Sequence, residues 1–144
     1  MVNPSPATHA ALDGLRVLEL AGMVAAPFCG KLLAALGADV LKIEPPKTGD
    51  PSRRRGPFPG DVPHIERSGT FLYLNTGKRS LTLNVDDPQG RIMLGELASQ
   101  SDVLIHDIQP RRAAELVLDQ ETLSQINHDL IVAAITPYGS SGPN

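Results

Sequence analysis

Tryptophan is absent, and aromatic residues make up only 3% of the 144 positions. Platforms for stacking nucleic-acid bases are therefore scarce. A cationic surplus is missing too: 13 Lys and Arg stand against 16 Asp and Glu, a net charge of −3. A nucleic-acid partner is not expected from that balance. Cysteine is limited to Cys29, which excludes an internal disulfide framework and a Cys-rich zinc site. No metal is expected. Apolar runs fall short of the roughly 18 residues a membrane span requires. Met1 to His9 lacks the basic and apolar regions of a signal peptide. The expectation is a soluble, cytoplasmic protein with no membrane partner. The G-x-G-x-x-G and G-x-x-x-x-G-K-[ST] patterns are also missing, and Gly22 stands without partner glycines. Nicotinamide, flavin and P-loop nucleotide sites are disfavoured accordingly.

What is present is a chain able to fold. Hydrophobic residues make up 41%, enough for a core. Leu15 to Leu20 (LRVLEL) reads as a first strand. Pro27 suits the first turn of a helix, running to about Leu36, with Leu32, Leu33 and Leu36 on one face. Gly37 fits its left-handed stop. Asp39 to Glu44 (DVLKIE) is a second strand, ended by Pro45 and Pro46. Strand, helix and strand in this space make a parallel, right-handed crossover.

Residues 45–69 hold six prolines, four glycines and four arginines, with no apolar period. That stretch reads as a long surface loop, a type often functional in compact domains. Order returns at Thr70 to Leu74, followed by a strand at Ser80 to Val85. Asp86, Asp87 and Pro88 start a helix, with Ile92, Leu94, Leu97 and Ala98 facing inward until about Gln100. Asp102 to His106 is a short buried-type strand. Pro110 opens a helix to about Val117, and Glu121 to Asn127 forms another, capped by Asp119. Leu130 to Ile135 is the last strand. The alternation predicts an α/β fold with a mostly parallel sheet.

In such sheets, ligands sit at the carboxyl ends of strands. The loop Ala21 to Ala26 has small side chains that let a ligand approach the backbone. The helix behind it favours phosphate. Close strand–helix packing explains the same residues, and from this loop alone it takes precedence. Arg53, Arg54 and Arg55, with Lys47, form the only dense basic cluster and suit bidentate phosphate contacts. The plainer reading of each arginine is a solvated loop, or pairing with Asp50, Asp61 and Glu66. Lys78 and Arg79 carry the same two readings. Asp107, at a strand exit, is a hydrogen-bond acceptor for a ligand, a general base or a cap for the Pro110 helix. His106 reads as a satisfied strand residue. His9, His64 and His128 have no partners at metal or triad spacing. Cys29 lies in a first helical turn, where a thiolate is stabilised, although burial is the commoner fate.

Several segments are familiar as an ordered set. They are Leu12 to Leu20 (LDGLRVLEL), Leu36 to Pro46 (LGADVLKIEPP) and Gly49-Asp50. Lys78 to Leu83 (KRSLTL), Pro88 to Gly90 (PQG), Ala98 to Ile105 (ASQSDVLI) and Tyr138 to Pro143 (YGSSGP) follow in order. Across Leu12 to Pro143 the chain resembles the class III CoA-transferases, the CaiB/BaiF family of acyl-CoA transferase and carnitine dehydratase-like proteins. The resemblance implies a Rossmann-like, mostly parallel sheet with flanking helices. This would be the incomplete large domain of such an enzyme. Residues 1–11 would be a flexible lead-in and residues 12–144 the N-terminal segment of the family fold.

The resemblance also implies function. Family members move coenzyme A between carboxylic acids through acyl-CoA thioesters. A catalytic aspartate there forms covalent intermediates. Relatives in the family racemise 2-methylacyl-CoA with a histidine and an aspartate. All these residues lie beyond the matched segment, so no catalytic residue is carried over, and the chain is not expected to be active alone. The family implies an interlocked homodimer or a complementing chain. By resemblance, the coenzyme A pocket draws on Val24, Ala25, Ala26 and Pro27, on Leu83, and on Asp107, Ile108 and Gln109, with Arg53, Lys78 and Arg79 as cationic candidates. Where the family has Glu-Asn-Phe-Arg-Pro-Gly, this chain has His106 to Arg111 (HDIQPR). The family's asparagine is thus Asp107, and an arginine common on the next helix falls at Glu115. A basic residue often found just after the second strand's glutamate is Pro45. Both acidic replacements have the wrong sign for a pyrophosphate. Two further readings stay open. Glu19 to Gly22 suits the racemase branch, whereas Lys78 to Ser80 suits the transferases. A truncated or degenerate non-catalytic partner subunit is the third.

Overall fold

The computed structural model describes residues 10–116, 118 and 120–139. Residues 1–9 of the expected lead-in, Val117 as a helix end, Asp119 as a cap and the exit loop at 140–144 lie outside the described residues.

Five strands form one sheet: β1 (Arg16–Leu20), β2 (Asp39–Glu44), β3 (Arg79–Thr82), β4 (Val103–His106) and β5 (Ile131–Ala134). Their spatial order is β3-β2-β1-β4-β5, and every neighbouring pair is parallel. Helices α1 (Ala25–Ala35), α2 (Gly69–Leu74), α3 (Pro88–Ser99), α4 (Pro110–Glu115) and α5 (Gln120–Ile126) fill the crossovers.

Strand periodicity sorts side chains onto two faces. Leu18, Ile43 and Leu104 join Leu94 and Ala98 of α3, Ala113 of α4 and Leu123 of α5 in one apolar cluster. Val17, Val40 and Ile105 pack on Ala26, Leu33 and Ala34 of α1 in the other. The sheet is therefore covered on both faces, as parallel sheets require.

Local signals account for most boundaries. Helix α1 ends in a Schellman motif: Gly37 sits at φ +102°, its N–H reaches the Ala34 carbonyl at 3.0 Å, and the Ala38 N–H reaches Leu33 at 3.0 Å. Helix α3 starts with Asp87 accepting the Gln89 N–H at 2.9 Å and Pro88 in its first turn.

Two expectations about helix faces need correction. Leu32 and Leu36 are 49% and 50% exposed rather than inward-facing. Small residues, Ala26 and Gly30, take the sheet side of α1, which lets the helix sit close over charged strand residues. In α3, Gly90, Leu94 and Ala98 are buried at intervals of four, and Ile92 points outward. The loop at 45–69 also holds more structure than its composition suggests. It contains short 3-10 turns at Pro51–Arg54 and Pro59–Asp61. Asp50, Ser52 and Ser68 anchor it in the interior.

Candidate functional site

The strand order places a topological switch point between β1 and β4. Connections leave these neighbours toward opposite edges of the sheet, and a crevice opens beyond their carboxyl ends. Its volume is about 390 Å³. Leu20, Ile43, Pro51, Leu83, Val85 and Ile108 form its apolar wall, while Asp50, Asn84, Asp86 and Asp107 supply polar groups.

The loop after β1 forms one rim and is held at three consecutive residues. The Ala21 carbonyl accepts from Lys42 Nζ at 2.6 Å. The Gly22 N–H donates to Asp107 Oδ2 at 2.9 Å. The Met23 N–H donates to Asp50 Oδ1 at 3.1 Å. Met23 itself sits at φ +60°, a conformation that needs support from its surroundings. A Cβ at Gly22 would meet Pro51 Cδ at 3.1 Å, so the rim packs tightly against the Asp50–Pro51 segment.

Beneath the rim runs a buried charge network. Lys42 Nζ lies 2.9 Å from Glu19 Oε1 and 2.8 Å from Asp50 Oδ2. The other Glu19 oxygen takes Lys78 Nζ at 2.7 Å. Lys78 also donates to the Pro27 carbonyl and to Asn75 Oδ1. Glu44 receives Arg53 on both oxygens, at 2.7 and 2.8 Å, together with the Ser80 hydroxyl and the Asp50 N–H.

The electrostatics follow from these contacts. Burial works against the charged form of Glu44, but the Arg53, Ser80 and Asp50 hydrogen bonds outweigh it and bring its pKa down to about 2. For Asp50, burial is likewise overcome, chiefly by Lys42, and the carboxyl lies below its usual range. Lys78 is shifted down because burial exceeds the help from Glu19. Burial also lowers the His106 imidazole. Asp107 is exposed by area, yet crowding by the crevice wall raises its carboxyl, against the lowering effect of the Gly22 N–H.

The expected site residues separate into two groups. Leu83, Asp107 and Ile108 line the crevice. Val24, Ala25, Ala26, Pro27 and Gln109 do not belong to its lining. Ala26 and Pro27 are instead buried under α1. The cationic candidates are turned elsewhere. Arg53 forks onto Glu44, reaches Glu66 at 2.9 Å and stacks on Phe71 at 3.6 Å. The Lys78 side chain is 1% exposed. Arg79 pairs with Asp39 at 2.6 Å, at the opening end of β2 and so at the opposite end of the sheet from the crevice. Glu115 does not act as a bare negative charge, because Arg112 Nη1 lies 2.8 Å away. The same arginine pairs with Asp86.

Sequence reasoning missed the network of Glu19, Lys42, Glu44 and Asp50. A usable signal was present: glutamate and lysine stand in the middle of otherwise apolar strands, at positions where alternation allows no route to solvent.

A doubly covered parallel sheet with its crevice at the switch point is the arrangement in which open α/β proteins bind ligands. Comparison with known proteins narrows the class. The profile of CoA-transferase family III matches residues 12–144, and the chain belongs to that family. It is 42% identical over 134 residues to the succinyl-CoA–L-malate CoA-transferase beta subunit of Chloroflexus aurantiacus, covering 92% of this chain and 32% of that relative. It is 37% identical over 133 residues to the succinyl-CoA:glutarate CoA-transferase of Mus musculus, covering 92% and 29%. Among solved structures, a CAIB/BAIF family protein from Brucella suis superposes with a TM-score of 0.84 at 37% identity, covering 94% of this chain and 35% of that one. The chain thus spans about a third of the length of the relatives it matches.

Proposed function

We propose that this chain supplies part of the coenzyme A pocket in the Rossmann-like large domain of a class III acyl-CoA transferase. The observation that carries this reading is the crevice at the β1–β4 switch point, found in a fold whose family handles CoA thioesters. An acyl-CoA would meet the apolar wall around Leu83 and Ile108, with Asp107 and Asn84 available to accept hydrogen bonds from its amide and hydroxyl groups. The proposed setting is cytoplasmic, with Cys29 kept as a free thiol.

Transfer of CoA between two carboxylic acids requires a nucleophilic carboxylate at the thioester carbonyl. The carboxylates along this crevice are poorly suited to that step. Asp50 is enclosed and paired with Lys42, Asp86 is paired with Arg112, and Asp107 spends one oxygen on the Gly22 N–H, which leaves the other as an acceptor. The reacting group would therefore come from polypeptide equivalent to the relatives' remaining two thirds, in this chain's own assembly or in a partner. A subunit role fits the C. aurantiacus relative, which is itself a beta subunit.

Calorimetry with CoA and acetyl-CoA tests the pocket, and a succinyl-CoA exchange assay tests the division of labour. The 144-residue chain should bind CoA in saturable fashion and show no exchange. Absence of binding at millimolar CoA would remove the pocket. Exchange by the chain alone would remove the missing-nucleophile reading.

A further inference from the structure

Three carboxylates line the crevice, and two of them are neutralised locally: Asp50 by Lys42 at 2.8 Å and Asp86 by Arg112. Asp107 has no cation within ion-pair distance among the described residues. Its Oδ2 takes the Gly22 N–H at 2.9 Å. The adjacent Met23 N–H is taken by Asp50. A ligand anion approaching the loop after β1 thus finds both peptide donors filled by carboxylates, and beside them a negative charge with no direct ion-pair partner among the described residues.

From this arrangement we infer that Asp107 is a specificity-determining residue, an internal anion that admits neutral, hydrogen-bond-donating parts of a ligand to the crevice mouth and turns phosphates away. The inference rests on the CoA-pocket reading and deepens it. The pantetheine segment of CoA is uncharged and carries amide and hydroxyl donors, which suit a carboxylate acceptor. The phosphates of CoA are repelled by that same group, and because Asp107 is solvent-exposed the repulsion is screened by salt. Asp50 is held from within by Lys42 and the Ser52 N–H. Asp107 is the exposed member of the pair.

The test titrates pantetheine and CoA into the wild-type chain, Asp107→Asn and Asp107→Ala. Asparagine keeps an oxygen for the Gly22 N–H and removes only the charge. Alanine frees the N–H as well. CoA should bind Asp107→Asn about tenfold more tightly than wild type, an effect that shrinks as salt screens it. Alanine should tighten CoA at least as much, while pantetheine changes less than about threefold in Asp107→Asn. Equal CoA affinity in all three proteins, with circular dichroism showing each folded, overturns the inference and leaves the pocket standing. A parallel gain for pantetheine and CoA in Asp107→Asn also overturns it. No binding of either ligand to any of the three removes the pocket reading and this inference with it.

Discussion

Glu19 and Lys42 face each other in register across β1 and β2, 2.9 Å apart, with side chains 0% and 1% exposed. This pair ties the sheet interior to the crevice, because Lys42 also holds Asp50 and the Ala21 carbonyl.

Lys42→Met should therefore destabilise the fold strongly. Glu19 keeps Lys78, but Asp50 is left as a buried charge without its cation, and removing one member of a buried pair typically costs about 3–5 kcal/mol. Urea unfolding measures it. A loss below about 1 kcal/mol would mean that water already reaches the network.

Glu44 sets an acid-side stability window. Its pKa in the folded chain is about 2, against an ordinary value of 4.5. A depressed carboxylate contributes stability that is complete above about pH 4.5 and disappears as pH falls toward 2. By linkage the contribution amounts to about 3 kcal/mol at neutral pH. Glu44→Gln should flatten the pH dependence of the unfolding midpoint across that window. A variant with the same acid slope as wild type would place the titration elsewhere.

Gly90→Ala tests the crevice wall from behind. A Cβ there collides with the backbone carbonyl of Asn84, a residue lining the crevice. Backbone cannot swing aside as a side chain can, so a loss of about 1–3 kcal/mol is expected, accompanied by weaker CoA binding. Unchanged melting would show that α3 shifts freely.

Helix α1 carries one charged side chain, Lys31, and exposes Phe28 and Leu32, with Leu36 exposed just past its end. An outward face of that kind favours association. Leu32→Lys should leave stability within about 0.5 kcal/mol while lowering the apparent mass at high concentration in light scattering. An unchanged mass with wild type already monomeric would dismiss the face as a contact surface.

Much of the architecture was legible beforehand because local chemistry is explicit. Gly37 and Pro45 bracket β2, and Asp87 with Pro88 announces α3. The order of the strands was not legible, since a parallel crossover determines handedness but not which edge the next strand joins. The orientation of α1 was misjudged because leucines suggest burial. Here the close approach over Glu19 selects Gly30 and Ala26, and a Cβ at Gly30 would strike the Glu19 carboxylate. Leu83 and Ile108, which the family resemblance implied, and Asp107, which its strand exit also pointed to, line the crevice. Lys78 read as a ligand cation because its partner Glu19 stands 59 residues away and meets it only after folding; for Arg53 the plainer reading, pairing with Glu66, holds, while its fork onto Glu44 was not legible.

A parallel sheet lacks hairpins, so no tight turn indexes one strand against the next. Sliding β2 by a single step along β1 would turn Lys42 into the aliphatic layer under α3 and strand Glu19 among methyl groups. The opposed charges consequently work as a molecular vernier. They penalise every misalignment of the two central strands and keep the β1 exit loop at the height where the crevice opens.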